Sequence, residues 1–157
     1  MAGRRDYRLT RSPEGEQFGL LLRSLFAESE EISLVWPKRT ARADTLASAL
    51  REGFAPFVTE ERVVRPWPGT GGSAPEVTLT FYRPERVIRL ALTEAGSLGR
   101  LVAPDWPENL ACYRAGRECW FGSTTDGDFA FVTLPDSASA DRMPGLPWGW
   151  LSPLRRR

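Results

Sequence analysis

The sequence predicts an α+β fold, a mainly antiparallel sheet with a C-terminal β-meander and about three helices packed on it. Three observations carry that expectation. Three stretches repeat apolar residues at helical spacing, several short runs are rich in β-branched and aromatic residues, and the last of those runs are joined by turns short enough to make neighbours antiparallel. Helices and strands intermix along the chain, which favours helices laid on an antiparallel sheet.

Taken in order, Ser12 can cap a first helix, Pro13 suits its first position, and Glu14 and Glu16 favour the positive end of its dipole. Phe18, Leu21, Leu22, Leu25 and Phe26 then share one helical face. The acidic turn Glu28-Ser29-Glu30-Glu31 leads into Ile32-Ser33-Leu34-Val35-Trp36, a β-prone run stopped by Pro37 as a buried strand would be. A second helical face reads Ala43, Leu46, Ala47, Leu50 and Phe54, with Gly53 where a left-handed helix end wants glycine. Phe57 to Trp67 is extended, and Glu76 to Tyr82 alternates Val77, Leu79 and Phe81 against polar neighbours, the period of a half-buried strand. The loop from Pro66 to Pro75, rich in Gly and Pro, joins these two as antiparallel strands. Pro84 opens a third helix with Val87, Ile88, Ala91, Leu92 and Ala95 on its stripe and Gly96 at its end, while the alternation of Ile88, Leu90 and Leu92 leaves a strand as the lesser reading. Runs at 110–114, 119–123 and 129–134 make the meander, parted by Ala115-Gly116 and by Thr125-Asp126-Gly127, whose Asp-Gly is a strong hairpin signal. Past Pro135, Met143, Leu146, Trp148, Trp150 and Leu151 are spaced by Gly and Pro and read as an extended tail packed back on the core.

At 157 residues the chain fits one domain, 1–157, with residues 1–11 and 152–157 expected to fray. Apolar residues at 41% and charged residues at 26% place it among folded proteins. With 21 basic and 20 acidic side chains the net charge of +1 supplies no field to draw it onto nucleic acid or an anionic membrane. No stretch approaches the roughly 18 apolar residues of a membrane span. MAGRRDYRLT also lacks the apolar run of a signal peptide, so a cytoplasmic location is expected. Histidine is absent, which excludes Ser–His and Cys–His nucleophile systems, and the 2 cysteines cannot build a four-thiolate zinc site within one chain. No cofactor or metal is expected.

Cys112 and Cys119 would face each other across a two-residue Ala115-Gly116 turn, so a disulfide is conceivable, although a cytosolic setting favours two packed free thiols. Gly69-Thr-Gly-Gly-Ser73 is followed by a strand instead of the helix and Lys of a phosphate loop, and reads as a hairpin loop. Asp126 and Asp128 with Glu118 fall short of a calcium cage. Arg4, Arg5, Arg8, Arg11 and the terminal Arg155-Arg156-Arg157 read as solvated termini. Most of the 6 tryptophans read as core, but Trp67 sits between two prolines at the start of a loop and is a candidate interface anchor. The acids Glu28, Glu30 and Glu31, joined by Asp105 and Glu108, are candidates for a negative surface toward a basic partner.

The stretch from Leu98 to Val132 holds Pro107-Glu108-Asn109-Leu110, then Tyr113-Arg114, Gly116 and Trp120-Phe121-Gly122-Ser123. In this it resembles a segment of small bacterial immunity-type proteins of polymorphic-toxin and contact-competition systems. There a Pro-Glu-Asp-Leu element leads into an aromatic strand, a Gly turn, a Trp-Phe strand and a Ser-His-Glu turn. The resemblance covers about 35 of the 157 residues. It departs where Asn109 replaces the acid and where Thr125-Asp126-Gly127 stands in place of the His-Glu pair, so no role of that histidine carries over. The shared pattern is that of a structural hairpin, and what it implies is a protein that occludes one toxic partner without catalysis.

The residues by themselves also read as a binding protein rather than an enzyme, because no nucleophile–base pair or metal cluster is spelled out. The first expectation is an immunity protein that neutralises a cognate toxin protein by direct binding. The alternative is an accessory or regulatory module that takes a small ligand or a host protein, which a pocket with convergent polar groups would favour. A carboxylate-only enzyme would have to draw on Glu85, Glu94, Glu108, Asp126 and Asp128, and no spacing nominates two of them.

Overall fold

The computed structural model describes residues 3–36, 46–64, 77–124, 129–135 and 145–154. Its strands are β1 (Arg4–Leu9), β2 (Glu31–Trp36), β3 (Val58–Val64), β4 (Val77–Tyr82), β5 (Glu108–Arg114), β6 (Glu118–Thr124), β7 (Phe129–Pro135) and β8 (Leu151–Pro153). They form one 8-stranded sheet in the order β3-β4-β2-β5-β6-β7-β1-β8, with every neighbouring pair antiparallel. The helices α1 (Glu16–Ala27), α2 (Leu46–Phe54) and α3 (Arg86–Thr93) complete an α+β architecture that includes the expected meander, β5-β6-β7.

One row of side chains runs across the whole sheet. Val58, Tyr82, Ile32, Cys112, Phe121, Val132, Tyr7 and Pro153 are successive cross-strand partners, and the six inner members are buried. The helices cover this face. Phe18, Leu21, Leu22, Leu25 and Phe26 of α1, Ala47 and Phe54 of α2, and Ile88 and Leu92 of α3 belong to the same cluster as that row. Each large side chain so buried contributes about 1.5–3 kcal/mol against the conformational entropy of ordering the chain. At one end of the row the indole of Trp36 donates to the Tyr82 hydroxyl over 2.7 Å, and Phe54 packs 6.0 Å from both rings. Near the middle, Trp120 donates to Ser29 Oγ over 3.0 Å and Ser29 donates to the Leu25 carbonyl, so the two buried polar groups satisfy each other.

Several expectations are corrected. Residues 1–11 were expected to fray, yet Arg4–Leu9 is an interior strand between β7 and β8, because Tyr7 and Leu9 alternate into the core while Arg4, Asp6 and Arg8 point the other way. Likewise Ser152 and Pro153 pair with Arg8 and Tyr7. The first helix begins at Glu16, since Thr10 bonds the Trp150 carbonyl and Gly15 bonds the Gly96 carbonyl, so residues 10–15 run across neighbouring backbone before the chain coils. Gly15, at φ +57, makes that corner in place of Ser12. Gly53 lies inside α2, which runs on into a 3₁₀ turn at Ala55–Phe57, and Leu46 of the expected buried stripe is exposed; Ala43 lies outside the described residues. The helix reading of 86–93 holds, but Pro84 precedes it by two residues and Val87 faces solvent. Strand β4 is buried on both faces, with Thr80 and Tyr82 covered as fully as Leu79 and Phe81.

The β5–β6 register also differs from a two-residue turn. Arg114 pairs with Glu118 around Ala115–Arg117, and a bulge follows, so Tyr113 faces Cys119 and Cys112 faces Phe121. Both thiols are free. The bulge is what puts consecutive Trp120 and Phe121 into the same helix-side core.

Candidate functional site

The opposite face of the sheet has a small apolar cluster of its own, Val35, Leu79 and Phe81, with Val64, Val77 and Tyr113 half-buried against it, and among the described residues no helix contributes to it. Register explains the grouping. Glu60, Phe81, Ser33, Ala111 and Gly122 are successive partners across β3-β4-β2-β5-β6, and Glu31 faces Tyr113 one step along. The Phe81 and Tyr113 rings stand 5.5 Å apart, and the Tyr113 and Ser33 hydroxyls share a hydrogen bond of 2.9 Å. Burial holds the Tyr113 phenol above its ordinary pKa.

Two guanidiniums roof Phe81, Arg117 at 4.3 Å and Arg62 at 5.5 Å from the ring centroid. Carboxylates fix both. Arg117 Nε donates to Glu31 Oε1 over 2.8 Å, its other arm is paired with Glu60, and Arg62 Nε donates to Glu60. Thr59 donates to the second Glu31 oxygen. The bonds from Arg62 and Arg117 hold the Glu60 carboxyl below its usual range, and the same carboxylates hold Arg117 above its own. Arg117 is aimed by an unusual backbone: it sits at φ +59 directly after Gly116 at φ +70, a left-handed pair that turns the β5–β6 hairpin and returns the side chain over the sheet.

The chain matches no family model, no curated protein and no solved structure. Its site is therefore read from its own chemistry. The arrangement offers a stiff, partly desolvated surface of aromatic rings and paired charges, a type of surface suited to holding another macromolecule. Among the described residues no group of three or more acids or thiols could hold a metal ion.

The structure divides the residues singled out from the sequence. Glu31 is at the site, as a 16% exposed partner of Arg117 instead of a free acid. Glu28 and Glu30 are exposed at the corner that leads into it, with the Glu30 N–H bonded to the Tyr113 carbonyl. Asp105 and Glu108 are elsewhere: Glu108 faces Val35, about 13 Å along β2 from the Glu31 end at a strand rise of ~3.3 Å per residue, and its carboxylate accepts the Ala103 N–H over 2.9 Å. The five acids thus form two groups. Trp67 lies outside the described residues, as do Asp126 and Asp128. Sequence reading missed Phe81, Tyr113, Glu60, Arg62 and Arg117 as a unit. The one signal for it was the alternation of Val77, Leu79 and Phe81, which marked a face without telling which face the helices would leave open.

Proposed function

We propose that this chain is a non-catalytic cytoplasmic binding protein of the immunity type, which neutralises a bacterial toxin by direct protein–protein contact through the sheet face around Phe81, Tyr113 and Arg117. The observation that carries the reading is the double roof of Arg117 and Arg62 on Phe81, held in place by Glu31 and Glu60. Tyr and Arg are the residue types that concentrate binding energy at interfaces, and side chains already fixed in the free protein lose less entropy on association. The mixed charges fit a polar partner surface whose own acids and bases alternate, and such complementarity selects one partner over others. The turn that aims Arg117 lies inside the stretch that resembles immunity-type proteins. No helix among the described residues is long and apolar enough to cross a membrane.

The test is co-expression of this chain with each of a panel of bacterial toxins. Restored growth, together with a complex of fixed stoichiometry in light scattering of the purified pair, is the expected result. Continued growth arrest with no complex at mild ionic strength overturns the reading.

A further inference from the structure

Helix α3 turns a patterned stripe toward solvent. Arg83, Arg86, Val87, Leu90 and Glu94 are exposed and recur at i, i+3, i+4, i+7 and i+11, while Ile88, Leu92 and Ala95 fill the core from the other side of the same helix. Val87 and Leu90, one turn apart, are 55% and 46% exposed. A lone exposed leucine is ordinary. What sets this stripe apart is its charge order. Arg86 opens the helix and Glu94 closes it, so each stands at the end of the helix dipole that disfavours its sign. A second copy of the same helix, laid antiparallel, reverses both penalties.

Leu90 lies four residues from Arg86 and four from Glu94, so the three form one i±4 row with the apolar residue at its centre. A two-fold axis at Leu90 sets Arg86 of each copy against Glu94 of the other, with Leu90 on its own mate and Val87 beside it. Rows of this spacing interdigitate in the commonest class of helix–helix packing. Each Arg86 then meets an opposite charge together with the negative end of the neighbouring helix. A parallel pairing would instead bring Arg86 to Arg86 and Glu94 to Glu94, so the charges also fix the direction. We propose that this chain forms a two-fold symmetric homodimer through α3, with Val87 and Leu90 at its centre and the Arg86–Glu94 pairs at its ends. Helix α3 lies on the helix-covered side of the sheet, so the face around Phe81 stays open on both copies. A contact of one helix per copy is smaller than a standard interface, which sets the expected Kd on the order of 100 μM.

The test is sedimentation velocity of the full chain at mild ionic strength, from about 10 μM to about 1 mM. A monomer–dimer equilibrium with its Kd inside that range is expected. Leu90→Glu sets two like charges on the axis and is expected to leave a monomer throughout, with the melting temperature nearly unchanged because the position is exposed. Arg86→Glu and Glu94→Arg are each expected to weaken the dimer about ten-fold or more, and the two together to restore it to within about three-fold of the parent. A parent chain still monomeric at about 1 mM, or a dimer that Leu90→Glu leaves intact, overturns the proposal. A charge-exchanged double variant that dimerises more weakly than either single variant overturns the antiparallel pairing.

Discussion

The guanidinium of Arg117 lies 4.3 Å from the centre of the Phe81 ring, although 36 positions separate the two residues in the chain (117 less 81). Three features have to coincide for this contact. Strand β4 must present Phe81 away from the helices, the β5–β6 turn must hold Arg117 at positive φ, and Glu31 and Glu60 must anchor its two arms. Remove any one and the surface loses its shape before it loses its residues.

Phe131 covers Gly122 on that same face. A Cβ at 122 would stand 2.5 Å from Cε1 of the Phe131 ring, so Gly122→Ala is expected to cost about 1–3 kcal/mol in urea unfolding. In the Gly122→Ala/Phe131→Ala double variant the clash is absent, and the combined loss is expected to fall short of the sum of the single losses by about 0.5 kcal/mol or more.

Tyr82→Phe leaves the buried Trp36 indole N–H without its acceptor and is expected to cost about 1–3 kcal/mol. Burial pushes the Tyr82 phenol up to about 12. An unfolded chain releases that proton near pH 10 while the folded one keeps it, so the contribution of Tyr82 is present below about pH 10 and is lost as pH rises toward 12. Thermal melts from pH 9 to 12 are expected to show a shallower decline for Tyr82→Phe than for the parent.

Deletion of residues 1–9 removes a strand from the interior of the sheet and exposes the flanks of both β7 and β8. The shortened chain is expected to lose its cooperative thermal transition. A transition close to that of the full chain would show that β1 is dispensable.

The two free thiols differ in access, Cys112 being buried and Cys119 half-buried, and burial raises the pKa of both. Iodoacetamide is expected to label Cys119 first in the native protein and both in denaturant, as read by peptide mass mapping. Native labelling of Cys112 ahead of Cys119 would contradict the packing described for β5 and β6.

Much of the fold was legible because period and burial coincide. All five apolar residues of α1 repeat at helical spacing and all are buried, and the meander strands are bounded by Gly and Asp turns. Strand β1 was not legible, since four charges among its six residues hide the two that point inward, Tyr7 and Leu9. Strand β4 read as half-buried because Thr80 and Tyr82, although polar, are satisfied inside, Tyr82 by Trp36 and Thr80 by Glu61. The site escaped notice for a topological reason. Residues 31, 60, 62, 81, 113 and 117 meet only through the strand order β3-β4-β2-β5 and a bulged register that no local pattern encodes. Glu31 looked like a free acid for the same reason, its partner lying on a turn 86 positions away.

The most direct test of the binding face uses Arg117→Gly. Glycine adopts φ +59 without strain, so the hairpin is kept while the guanidinium is removed. With the toxin identified by growth rescue, affinity and melting temperature are measured side by side for parent and variant. The predicted result is a loss of about 2 kcal/mol or more, roughly thirty-fold in Kd, at a nearly unchanged melting temperature. An unchanged Kd would contradict the assignment of this face as the toxin-binding surface.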